Sequence, residues 1–192
     1  MARRILVING HPDPSAERLA AGLVSAYIRG ASLTGHLIRR LDVGAMAIPM
    51  IRSQTEFMDT PPSAPVREAQ EAIAWAEHVV IVFPLWLGAT PAVLKAFLEQ
   101  VFRYGFAISQ PGEPMQGLLK GRSARIVITM GMPAPVFWWV FGAHGLKALE
   151  QGLFKLCGLS PIRHTVLGGV EGPAARRAGW LEDMARLGAA AL

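Results

Sequence analysis

Three short segments carry residue types from which a binding site can be built, and a single histidine follows them. The first is Gly10-His11-Pro12-Asp13-Pro14-Ser15, which leads into a helical pattern. A helix N-terminus presents free N–H groups and a partial positive charge, which suits a phosphate. His11 adds a hydrogen bond or a charge there, and Ser15 a hydroxyl. The second runs from Phe83 to Pro91 and brackets Leu85, Trp86 and Leu87 between Pro84 and Gly88. It reads as a rigid, water-poor ledge that suits a flat aromatic ligand. The third is Thr129-Met130-Gly131-Met132-Pro133-Ala134-Pro135, where Gly131 permits close approach to backbone amides. Plainer readings stay open beside these. His11 packs in a turn while Ser15 only caps a helix, or Trp86 plugs the end of a sheet. The cluster Phe137, Trp138, Trp139 and Phe141 is core, a dimer interface or the wall of a slot.

His144 begins the helical stretch after that cluster. A lone histidine is more often structural than catalytic, but this one lies beside the three loops. His36, His78 and His164 sit near strand edges and receive no role, and Cys157 reads as core packing. The chain shows no catalytic triad, no metal-ligand spacing and no paired carboxylates. It has neither G-x-G-x-x-G after the first strand nor G-x-x-x-x-G-K-[ST]. Loops shaped for a flat phosphorylated ligand, without a reactive constellation, point to chemistry supplied by a cofactor.

The elements that must position these loops alternate along the chain. Arg4–Asn9, Leu37–Val43, Val79–Phe83, Arg125–Met130 and Thr165–Leu167 read as strands. Helical spacing runs from a Ser15 cap to Gly30, from Ala64 to Glu77, after Thr90-Pro91, from Ala143 to Leu156 and from Ala174 to Leu187. Residues 44–62 read as a long loop and 105–121 as a flap. Buried strands alternating with helices imply an α/β, flavodoxin-like three-layer sandwich: a five-stranded parallel sheet with helices on both faces. In such sheets ligands sit outside the carboxyl ends of the strands, where all three segments fall.

Composition narrows the class. The chain has 192 residues, 52% hydrophobic and 17% charged, which excludes disorder and fits one domain. One cysteine excludes an internal disulfide framework. The net charge is +5, but the arginines are scattered, so no nucleic-acid partner is expected. No apolar stretch is long enough for a membrane span, and no secretory leader is read, so a cytoplasmic location is expected.

Further motifs are Pro91 through Phe102, Gly105-Phe106-Ala107 and Gly142-Ala143-His144-Gly145. With Gly10–Pro14, Phe83–Trp86 and Thr129–Gly131, in this order, the sequence resembles the flavodoxin-like NAD(P)H:quinone oxidoreductase family from Ile5 to about Gly172. The resemblance implies a single flavin-binding domain, with FAD as cofactor or FMN as the alternative, and NAD(P)H as co-substrate. A quinone-like acceptor would be reduced in ping-pong fashion. It implies His11 and Ser15 beside the flavin phosphates, and Pro84, Leu85, Trp86 and Leu87 against the isoalloxazine edge. Thr129, Met130, Gly131 and Met132 would lie along the ring, with His144 as the catalytic residue. Phe106, Phe137 and Trp138 would line the acceptor slot of a homodimer. The sequence departs from the family where an assisting tyrosine falls on Phe137 or Trp138, and where Gln-Trp is replaced by Trp86-Leu87. A second reading is a flavin-binding ancillary subunit of a potassium-efflux system, its aromatic patch and basic surface serving the partner.

Overall fold

The computed structural model describes residues 1–192. Five parallel strands form one sheet: β1 (Arg4–Asn9), β2 (Leu37–Asp42), β3 (His78–Pro84), β4 (Ser123–Met130) and β5 (Ile162–Gly168). Their spatial order is β2-β1-β3-β4-β5. β1, β3 and β4 are covered on both faces, so they read as continuous apolar runs rather than alternating ones. The connections leave β1 and β3 in opposite directions across the sheet, which opens a crevice at the carboxyl ends of these two neighbours.

One face of the sheet packs on α3 (Ala64–Trp75), α4 (Ala92–Val101), α5 (Ala134–Trp139) and α6 (His144–Leu149), with Phe97, Phe137 and Phe154 in the larger core. The other face packs on α1 (Leu19–Leu33) and α7 (Ala174–Ala189) around Leu23, Tyr27 and Met184. No helix is long and apolar enough to cross a membrane.

The structure corrects several expected boundaries. Gly30 does not end α1, which continues to Leu33. A Cβ on Gly30 would lie 1.9 Å from the Ala185 carbonyl oxygen, and one on Gly188 would lie 2.0 Å from that of Tyr27. The two glycines let α1 and α7 touch backbone to backbone, so Gly30 marks a crossing point rather than a stop. Ser15 does not cap α1: the cap position is Arg18, and Ser15 closes its own turn upstream. The interval 44–62 is not structureless. It contains a 3-10 turn, Val43–Ala45, and α2 (Gln54–Met58), where the Ser53 hydroxyl accepts the Glu56 N–H at 3.1 Å. Buried Arg103 donates to the Phe57 carbonyl at 2.8 Å. A helix this short is held by caps and by Arg103, and it leaves no periodic signal.

Residues 105–121 are not a free flap either. Ala107, Ser109 and Leu119 are buried, and the Ser109 hydroxyl donates to the Pro114 carbonyl and accepts the Gln116 N–H, each at 3.0 Å. The expected helix over 143–156 is α6 followed by one π-helical stretch, Glu150–Lys155.

Candidate active site

Asn9, buried at the end of β1, fixes the start of the first loop. Its amide donates to Asp42 Oδ1 at 2.9 Å, and its Oδ1 accepts the His11 N–H at 3.2 Å. His11 Nδ1 accepts the Asp13 N–H at 3.0 Å. Asp13 then closes the loop: Oδ1 accepts the Ser15 N–H at 2.9 Å and Oδ2 accepts Arg18 Nε at 2.7 Å. The Ser15 N–H and the Arg18 guanidinium hold the Asp13 carboxyl below its usual range. Gly44 lets the 3-10 turn rest on this loop, since a Cβ there would sit 2.3 Å from the Pro12 carbonyl oxygen. The first turn of α1 contains no acidic residue, and the first amides of a helix have no partner within it.

The second loop touches the first. The Trp86 ring stands edge-on to the His11 ring, with centroids 6.3 Å apart at 78°. Trp86 and Ala89 exchange two backbone hydrogen bonds of 3.0 Å across Leu87 (φ 48°) and Gly88 (φ 80°). Positive φ at both central residues makes this a type I′ hairpin turn. Leucine in the left-handed region costs roughly 1–2 kcal/mol. Such strain concentrates at functional sites. The Leu87 side chain is fully exposed and Trp86 is half exposed. The sequence pattern showed a rigid ledge, but not that it is a hairpin.

The third loop is tied to the second by the Leu85 N–H, which donates to the Thr129 carbonyl at 2.8 Å. Thr129 and Met130 are buried strand residues, so only their backbone faces the crevice. Gly131 is exposed, and a Cβ there would meet nothing closer than Glu171 Oε1 at 3.9 Å. Space therefore lies above Gly131, and Met132 is half-buried beside it. A fourth wall comes from the segment after β5, which the sequence reading missed. The Gly169 and Val170 amides donate to the Met132 and Met130 carbonyls at 3.1 and 3.2 Å. The Gly168-Gly169 pair was the available signal: a Cβ on Gly168 would lie 2.4 Å from the Ala134 nitrogen.

His144 opens α6, exposed, with its ring folded over Gly142. Its neighbour Gly145 packs directly on the Gly88 carbonyl, which brings the first turn of α6 against the hairpin. Of the expected slot residues, Phe137 and Trp138 touch, with ring centroids 5.8 Å apart. Phe137 is 1% exposed and belongs to the core, which corrects its expected place on an open wall. Trp138 turns toward the edge strand, its ring 5.2 Å from that of His164. Phe106 is half-buried beyond the far end of α4, whose ten residues span about 15 Å. Trp139, Val140 and Phe141 form an exposed apolar patch. A largely apolar groove of about 830 Å³ runs from Ala89 and Thr90 past Gly145, between Phe57, Leu98 and Leu153.

Cys157 is wholly buried and its thiol is pushed up to about 12 by that burial, so it is inert. No group of three or more His, Cys, Asp or Glu side chains comes together to hold a metal ion.

Known proteins share this architecture. The human ribosyldihydronicotinamide dehydrogenase [quinone] is 31% identical over 102 residues, covering 50% of this chain and 44% of that protein. The chain spans about half the length of the curated relatives it matches. An NAD(P)H:quinone oxidoreductase from Methanothermobacter marburgensis superposes with a TM-score of 0.81 at 22% identity, over 98% of this chain and 96% of that one. An FMN-dependent NADH-azoreductase from Bacillus anthracis, solved with FMN, superposes with a TM-score of 0.75 at 16% identity, over 98% of both chains. At these identities the superpositions speak for the fold. The family model described as flavodoxin-like fold (Flavodoxin_2) matches residues 3–190, and the chain belongs to that family.

Proposed function

We propose that this protein is a flavin-dependent oxidoreductase that moves two electrons from NAD(P)H to a quinone or similar small acceptor. The carrying observation is the set of linked carboxyl-edge loops. His11 meets Trp86, Leu85 is bonded to Thr129, and the segment after β5 is bonded to Met130 and Met132, all around the space above Gly131. The names of the relatives support the activity class, and the FMN-bound azoreductase favours FMN over FAD.

A bound flavin would supply two-electron redox chemistry between the nicotinamide and the acceptor. The chain's own residues bind and orient it. The free amides at the start of α1, with His11 and Ser15, hold the phosphate. The Asp13–Arg18 pair keeps that loop closed. The backbone from Pro84 to Leu87 and the Thr129–Met132 segment would hold the ring, with the Trp86 indole at its edge. His144 offers its imidazole to charge developing at the ring or the acceptor. Donor and acceptor use the same opening in turn, in ping-pong order.

The homodimer belongs to the same proposal. The exposed patch Trp139-Val140-Phe141 and the apolar groove beside Gly145 support it, and Phe106 would enter the acceptor slot from the second copy.

The test is the visible spectrum of the purified protein and chromatography of the flavin it releases. Bleaching by NADH or NADPH without oxygen, then recovery with a benzoquinone, is expected. A colourless protein that takes up neither FMN nor FAD overturns the proposal.

A further inference from the structure

The amino-terminal edge of the sheet, opposite the crevice, holds a second cavity of about 320 Å³. Its walls come from the starts of the strands: Arg3 ahead of β1, His78 opening β3, Ser123 opening β4 and Arg163 in β5. Ser160 and the residues after α7, Ala191 and Leu192, close it. The parallel register sets His78 beside Ser123 and Arg163 beside Arg125, so these side chains share the α1/α7 face of the sheet.

The cavity is basic and lacks an acidic side chain in its lining. Arg125 stands behind it, buried, with the Thr165 hydroxyl as partner at 2.7 Å and its Nε unpartnered. Glu77, next to His78 in sequence, is turned to Arg4: it accepts the Arg4 N–H at 2.9 Å and pairs with Arg4 Nε at 3.5 Å. Arg3, half-buried, Arg125, buried, and Arg163, exposed, thus all lie close enough to act on His78, and no acidic side chain lines the cavity between them.

One more polar group, the His78 ring, faces the space. Arg3 Nη2 donates to Ser123 Oγ at 3.0 Å and to the Glu77 carbonyl at 3.3 Å. The Ser123 hydroxyl and His78 Nδ1 share a hydrogen bond of 2.8 Å, and the same hydroxyl lies 3.4 Å from the Glu77 carbonyl, so the bond fixes the ring's position without fixing its tautomer. Nε2 is buried on a residue 2% exposed, and it has no hydrogen-bond partner. Burial first, then Arg3 and Arg125, push the imidazole down to about 4, while the Leu192 backbone pulls the other way. The ring is therefore neutral at neutral pH.

We propose that this cavity binds a phosphate-sized oxyanion, held by Arg3 and Arg163, by the Ser160 hydroxyl and by the His78 ring in its Nε2–H tautomer. Such an ion ties together the starts of β1, β3, β4 and β5. It does so about 20 Å from the crevice, the length of a seven-residue strand.

The experiment titrates the protein as purified, any bound flavin retained, with inorganic phosphate against chloride at matched ionic strength. Thermal unfolding and the His78 ring NMR signals are followed. A saturable rise in Tm with phosphate is expected, together with a shift of the His78 signals. Arg163→Gln, a change at an exposed position, should weaken phosphate binding at least tenfold. A phosphomonoester such as glycerol 2-phosphate runs in parallel. Tighter binding than phosphate identifies the phosphoryl end of a larger ligand, and weaker binding identifies the free ion. A Tm rise no greater than with chloride overturns the proposal. So does a phosphate affinity unchanged in Arg163→Gln, or a His78 signal that does not move.

Discussion

Gly145 rests on the carbonyl oxygen of Gly88, so closely that a Cβ at position 145 would lie 2.1 Å from it. This one contact couples α6, and with it His144, to the type I′ hairpin of the ledge. Gly145→Ala forces the two apart. Overpacking of this kind costs roughly 1–3 kcal/mol. Urea unfolding should register that loss, and flavin retention on gel filtration should fall with it. A variant as stable as the parent, with full flavin content, would show that the contact is not structural.

The Asp13 carboxylate organises the first loop through the Ser15 amide and Arg18. Its folded pKa lies below the ordinary value, so these contacts persist above that value and are lost only as pH falls through the lowered one. Flavin affinity should therefore not change with Asp13 titration between pH 5 and 8. Asp13→Ala should raise the flavin dissociation constant by about tenfold, in line with the loss of hydrogen bonds to a charged group. Fluorescence quenching of free flavin measures this directly.

His78 makes stability depend on pH. Its folded pKa of about 4 lies below the ordinary 6.5, so the unfolded chain takes up the proton first as pH falls. Stability is level above about pH 6.5 and declines toward pH 4, by up to about 3 kcal/mol. His78→Gln should flatten that slope in denaturant titrations at successive pH values.

Gly30→Ala drives a methyl into the Ala185 carbonyl and separates α1 from α7. A loss of about 1–3 kcal/mol is expected from such overpacking. The crevice is built elsewhere, so the flavin affinity of the folded fraction should stay within a few-fold of the parent's.

His144→Ala tests the proposed chemistry. Its exposed ring carries no core packing, so Tm should stay within a few degrees. Quinone reduction under saturating NAD(P)H should slow at least tenfold if the imidazole stabilises developing charge. An unchanged turnover would remove His144 from the mechanism.

The alternation of strands and helices was legible because burial on both sheet faces demands continuous apolar strands, and Val79 to Phe83 shows that demand in one glance. The positions of the three carboxyl-edge loops followed from the same pattern. Short elements were not legible. α2 is held by the Ser53 cap and by Arg103 from another part of the chain, and neither leaves a period. Gly30 read as a helix end because its reason for being glycine lies in α7, far along the sequence.

The residues alone thus determined the α/β class and the edge of the sheet at which the three loops gather. Those properties depend on local composition and on a periodicity visible within a dozen residues. Only the folded chain decided that Phe137 is core, that Trp86 meets His11 and that the segment after β5 forms a wall. It alone showed that Arg3, His78 and Arg163 share a cavity. Each of those facts depends on which distant segments touch, and packing settles that after the local preferences are spent.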